Sequence, residues 1–148
     1  MTSKPPQRPV STAVEDYLER ILALISTKGY ARVVDIASGL AISQASVTNM
    51  IQRLDAEGFL RYEKYRGLSL TPAGEAVARS ITHRHELLTD FLRLFGLNEE
   101  TIYHDVEGME HHLSPDTVRA IESLTRHLKS QSVLLEQIRS DVASKSIP

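Results

Sequence analysis

The stretch DIASGLAISQASVTNMIQRLDAEGFLRYEKYRGLSLT, residues 35–71, decides the fold. Its first part predicts a short helix around Asp35 to Leu40, a tight turn, and then a helix capped by Ser43 on which Val47, Ile51 and Leu54 share one face. Gly58 is the natural stop of that helix. Two short helices joined by a tight turn form a helix-turn-helix, whose second helix can lie in a major groove. Beyond it, Leu60 and Tyr62, then Leu68 and Leu70 past the turn from Lys64 to Gly67, fit two short strands, and that hairpin reads as a wing.

Upstream, STAVEDYLERILALISTKG places Val14, Tyr17, Leu18, Ile21, Leu24 and Ile25 at helical spacing, with Gly29 as its end. The proline-rich start reads as a flexible leader over residues 1–10. Downstream, Thr71 as cap and Pro72 at the first helical position open a long helix that runs to a stop at Gly96. Asn98 caps a fifth helix, Ser114-Pro115 ends it and starts a sixth reaching about Leu128, and a last helix is expected from Ser132 to Ser144. The expected fold is therefore mainly α: an N-terminal winged helix-turn-helix over residues 1–71, then an all-helical domain over 72–148.

Composition narrows the chemistry. The chain has 148 residues, 41% of them apolar, which is ordinary for a protein that buries a core. It has no cysteine, so a disulfide framework and a thiolate metal site are both excluded, and a cytoplasmic location is favoured. No apolar run reaches signal-peptide or membrane-spanning length. The net charge is −2, but residues 1–71 hold 9 Lys/Arg against 7 Asp/Glu while residues 72–148 hold 8 against 12. A mildly basic front and an acidic back fit a nucleic-acid-binding module joined to a cation-binding one.

If the third helix enters the groove, Gln44, Ser46, Thr48 and Asn49 are the short or amide side chains that can reach base edges. Arg53, further along, suits a phosphate. Arg61, Lys64 and Arg66 put three cations beside the wing turn, where they can follow the backbone or enter the minor groove. Alone, such a cluster is as often a solvated hairpin tip; directly after a helix-turn-helix it favours double-stranded DNA.

The other dense motif is DVEGMEHHLS, residues 105–114. On a helix, Glu107, Glu110 and His111 stand at i, i+3 and i+4 and project from one face, whereas His112 points elsewhere. Taken alone, that pattern is more often a solvated face than a site. Asp16 and Glu19 at i, i+3 on the first helix and His85 on the fourth shift the balance, because three helices then offer oxygen or imidazole ligands. Carboxylates and imidazoles without sulfur suit a fairly hard divalent ion such as Mn²⁺. Asp16, Glu19, Glu107 and Glu110 supply the charge that balances two divalent cations, so two Mn²⁺ per subunit are expected.

KGYARVVDIA, YEKYRGLSLT, RHELLTDFLRLFG and DVEGMEHHLS resemble the manganese transport regulators, the short branch of the diphtheria-toxin-repressor family of metal-dependent transcription factors. The likeness runs from about Val14 to Leu128. It implies a helical metal-binding and dimerisation domain after the winged helix, and a homodimer that binds operators near metal-uptake genes, as a repressor, when metal is bound. The family's ligands fall on Asp16, Glu19, His85, Glu107, Glu110 and His111. Iron-responsive members carry methionine and cysteine where this chain has Asp16 and Glu107, so the resemblance implies manganese.

Two other classes compete. A winged-helix regulator answering to Fe²⁺ or a small organic ligand would use the same DNA-reading half, whereas the reading adopted needs no organic cofactor and no membrane. A di-metal hydrolase would need an extra acid, base or nucleophile beside the ligands, and none stands out. HRHEL lacks the second histidine of the HExxH protease motif, and the chain is read as a non-enzyme.

Overall fold

The structure, a computed structural model, describes residues 10–63 and 66–144. Lys64 and residues 1–9 of the expected leader lie outside the described residues. The chain forms two compact units that divide at Ser80 and Ile81, inside one long helix.

The first unit contains α1 (Thr12–Lys28), α2 (Val33–Leu40), α3 (Gln44–Ala56), β1 (Leu60–Glu63) and β2 (Gly67–Leu70), and ends in the first turns of α4 (Pro72–Arg93). Ser11 caps α1 by accepting from the Val14 N–H at 3.3 Å, and Gly29, at φ 80°, stops it in the left-handed region. Between them Val14, Tyr17, Leu18, Ile21 and Leu24 form one buried stripe. α2 begins two residues earlier than its periodicity suggests. It ends at Leu40, and its cap Ala41, a non-glycine held at φ 54° in the left-handed region, donates its N–H back to the Ala37 and Ser38 carbonyls.

Ser43 caps α3 through the Ser46 N–H at 3.1 Å, and Val47, Ile51 and Leu54 are buried as their spacing requires. β1 and β2 pair antiparallel with Leu60 opposite Leu70 and Tyr62 opposite Leu68. Leu60 is buried, whereas Tyr62, on the same face, is exposed, because the wing extends past the edge of the core. Thr71 ties the wing back: its hydroxyl donates to the Gly58 carbonyl at 2.6 Å and accepts from the Gly74 N–H at 3.2 Å, capping α4. Gly74 sits so close to this junction that a Cβ there would lie 1.8 Å from the Phe59 carbonyl oxygen. The buried residues of α1, α2 and α3, with Leu60 and Ala78, make one continuous core.

The second unit holds the rest of α4, then α5 (Glu99–Met109), α6 (Pro115–Lys129) and α7 (Ser132–Ala143). α4 stops at Arg93, and its last carbonyls bond three residues on, a tighter turn that delivers the chain to Gly96 at φ 72°. Asn98 and Ser114 cap α5 and α6. Leu88, Ile102 and Val106 are the buried centre, flanked by Leu92, Leu97, Leu113 and Ile121. α7 packs on α6, and the Arg139 Nε donates to the Leu94 carbonyl at 2.7 Å, holding α7 to the end of α4. Among the described residues no helix is long and apolar enough to cross a membrane.

Candidate metal centre and nucleic-acid interface

Glu110 is 1% exposed, the one carboxylate buried in this way among the described residues. Its two oxygens face two imidazoles: His85 Nδ1 lies 2.7 Å from Oε2, and His111 Nε2 lies 3.4 Å from Oε1. Glu107 Oε1 is 3.9 Å from the same His85 nitrogen. Burial raises the Glu110 pKa above the ordinary carboxylate value, the His85 hydrogen bond opposes the rise, and the negative charge of Glu107 adds to it. An anion in such a place is costly unless cations or donors surround it. Two carboxylates and two imidazoles meeting around one buried oxygen pair are a nitrogen and oxygen donor set that fits a divalent cation.

The helix carrying this motif is shorter than its spacing suggests. α5 ends at Met109, so Glu110 is its cap residue and His111 lies in the turn beyond it. The helix therefore does not run on to Ser114 as expected, yet Glu107 and Glu110 both still reach His85 and His111 lies beside Glu110. Glu110 keeps helical dihedrals and its N–H bond to Val106, but the His112 N–H goes to the Met109 carbonyl, because the chain must turn before Ser114 caps the next helix. His112 is exposed, as expected. In the first unit, Asp16 and Glu19 are half-buried on α1, one turn apart.

Arg84, which spacing did not single out, donates to the carbonyls of Leu113 at 2.9 Å and Glu110 at 3.4 Å. The one sequence signal for it is its place beside His85 in RHEL.

On α3, Gln44, Ser46, Thr48, Asn49 and Arg53 are all exposed. The Thr48 hydroxyl donates to the Gln44 carbonyl at 3.0 Å, and the Ser46 hydroxyl accepts from Ser43 at 2.8 Å, so both are oriented by the helix itself. Arg53 is paired with Glu57 at 2.8 Å and Arg66 with Glu63 at 3.4 Å. Such exposed pairs are worth at most about 1 kcal/mol and exchange easily for phosphates. Arg61 is exposed on β1, while Lys64 is outside the described residues. Asp55, also passed over by sequence reading, accepts the Tyr62 N–H at 3.3 Å and so links α3 to the wing.

Comparison with known proteins accounts for both regions. Residues 10–68 match the family described as iron dependent repressor, N-terminal DNA binding domain, and residues 71–132 match iron dependent repressor, metal binding and dimerisation domain. The HTH-type transcriptional regulator MntR of Geobacillus thermodenitrificans is 51% identical over 128 residues, covering 86% of this chain and 91% of that one. MntR of Bacillus subtilis is 48% identical over 128 residues, covering 86% and 90%. The chain belongs to the diphtheria-toxin-repressor family. It is a metal-responsive, DNA-binding transcription regulator and not an enzyme. Among solved structures, the manganese regulator SloR superposes with a TM-score of 0.68 at 26% identity, over 81% of this regulator and 55% of that chain. ScaR with bound Zn²⁺ gives 0.66 at 29% identity, over 75% and 52%. This regulator thus spans about half the length of those two proteins.

Proposed function

We propose that this regulator is a Mn²⁺-activated repressor of manganese-uptake genes, acting in the cytoplasm as a homodimer on double-stranded operator DNA. The observation that carries the proposal is buried Glu110 between His85 and His111. His85, Glu107, Glu110 and His111 of the second unit and Asp16 and Glu19 of α1 are the ligands in this reading, with two ions per subunit and no organic cofactor. Bound cations neutralise the carboxylates and so favour the arrangement that holds them together. Ligands on α1 belong to the DNA-reading unit, so metal occupancy and operator affinity are linked and each must strengthen the other equally.

Support for manganese comes from the sulfur-free ligand set, from the MntR relatives and from the likeness to the manganese regulator SloR. On the DNA side, Gln44, Ser46, Thr48 and Asn49 meet base edges in the major groove, and Arg53, Arg61, Lys64 and Arg66 contact the backbone. Because the matched family is that of the iron dependent repressors, Fe²⁺ is the ion to run in parallel.

The test is a fluorescence-anisotropy titration of the full chain onto DNA from upstream of a manganese-uptake gene, without metal, with Mn²⁺ and with Fe²⁺, at fixed salt. Tight binding with Mn²⁺ only, abolished in Glu110→Ala, supports the proposal. Equal affinity in all three conditions sinks the metal switch, and activation by Fe²⁺ alone reassigns the ion.

A further inference from the structure

The turn from Glu110 to Leu113 carries two of the proposed ligands outside any regular helix. Backbone carbonyls past a helix end have no intrahelical partner, and a turn whose carbonyls are loose holds its side chains loosely. Here one guanidinium nitrogen answers two of them: Arg84 Nη1 bonds the carbonyls of Leu113 at 2.9 Å and Glu110 at 3.4 Å. Next to it on α4, His85 bonds the Glu110 carboxylate at 2.7 Å. Neighbouring residues of one helix thus grip Glu110 at both ends, the backbone through Arg84 and the side chain through His85. Leu113 anchors the far side of the turn by packing against the core of the second unit.

We propose that Arg84 is a positioning residue for metal binding: it clamps the Glu110–Leu113 turn so that Glu110 and His111 are held ready before metal arrives. The inference rests on the reading of His85, Glu110 and His111 as ligands. Charge and clamp make opposite predictions for it. A guanidinium near a cation site repels the cation, so if charge were all that mattered, removing Arg84 would tighten metal binding. If the clamp matters more, removal weakens binding, because ordering the turn must then be done by the metal. Partners that orient ligands are typically worth about 10–100-fold in metal affinity.

The experiment is calorimetric titration of the full metal-free chain with Mn²⁺ for the wild type, Arg84→Met, Arg84→Lys and His85→Ala, with the metal-free melting temperature of each. Arg84→Met is expected to bind Mn²⁺ about 10-fold or more weakly, and Arg84→Lys, which keeps a cationic donor but not the fork, to recover part of the loss. An Arg84→Met protein that binds as tightly as wild type, or more tightly, overturns the clamp even if it melts lower, since a purely structural arginine would lower stability and leave the affinity of the folded chain alone. If Arg84→Met does not fold, Arg84→Gln is read by the same sign. Unchanged binding in His85→Ala would instead remove the ligand reading on which the clamp depends.

Discussion

Replacing Glu110 with glutamine separates two energies that the native residue carries together. The carboxyl is 1% exposed, with His85 at 2.7 Å and His111 at 3.4 Å. Burial, the largest influence, lifts its pKa, and Glu107 adds to the rise. A carboxyl whose folded pKa lies above its unfolded one favours folding least at high pH, because the unfolded chain gives up its proton first and stability falls as pH rises between the two values. Each tenfold change in the hold on that proton corresponds to about 1.4 kcal/mol. Glutamine keeps the volume and a hydrogen bond to His85 but carries no charge. The metal-free variant should therefore melt above wild type at neutral pH, by about 2–4 °C for each kcal/mol recovered in a chain of this size. With metal the order reverses. Free metal at about 100 times its Kd stabilises a single-site protein by about 2.7 kcal/mol, roughly 5–11 °C here, and the variant should show almost none of that shift. Scanning fluorimetry at neutral pH, with and without Mn²⁺, reads both signs. A Mn²⁺ shift as large as wild type's would refute Glu110 as a ligand, and a metal-free melting point below wild type's would refute the cost assigned to its buried charge.

The same carboxyl makes metal binding depend on pH: burial raises its pKa and Mn²⁺ needs the ionised form, so affinity should fall as pH drops and begin to fall at a higher pH than for an ordinary carboxylate, with proton release detectable as a dependence of calorimetric heat on buffer. Gly74→Ala would drive a Cβ to 1.8 Å from the Phe59 carbonyl, backbone that cannot step aside cheaply, and should cost about 1–3 kcal/mol or more in a urea melt. Arg66→Ala should leave stability nearly unchanged, since its pair with Glu63 is exposed, yet lower the salt slope of operator binding by about 1. Gln44→Ala should instead alter preference at one base pair by about 1–3 kcal/mol, measured against operators varied at each position.

Much of this regulator is legible because helices and hairpins are signalled locally. Ser43, Asn98 and Ser114 each cap the helix their position announces, since a cap bonds an N–H only three residues away. The stripes Val14, Tyr17, Leu18, Ile21 and Val47, Ile51, Leu54 are buried because the helical period alone puts them on one side. That the regulator answers to a metal was legible too, from carboxylates and imidazoles gathered in a chain without cysteine.

Only tertiary structure decided which of those groups is buried and what touches it. Glu107 and Glu110 belong to one motif, yet Glu107 is exposed and Glu110 is 1% exposed, because packing turns inward the side of α5 that carries Ile102 and Val106, and Glu110 follows them at helical spacing. Arg84 reaches carbonyls 26 and 29 residues away, and Asp55 reaches the wing seven residues on across a chain reversal. Periodicity and capping report on a few neighbouring residues; burial, desolvation and contacts between elements arise only when packing brings distant segments together.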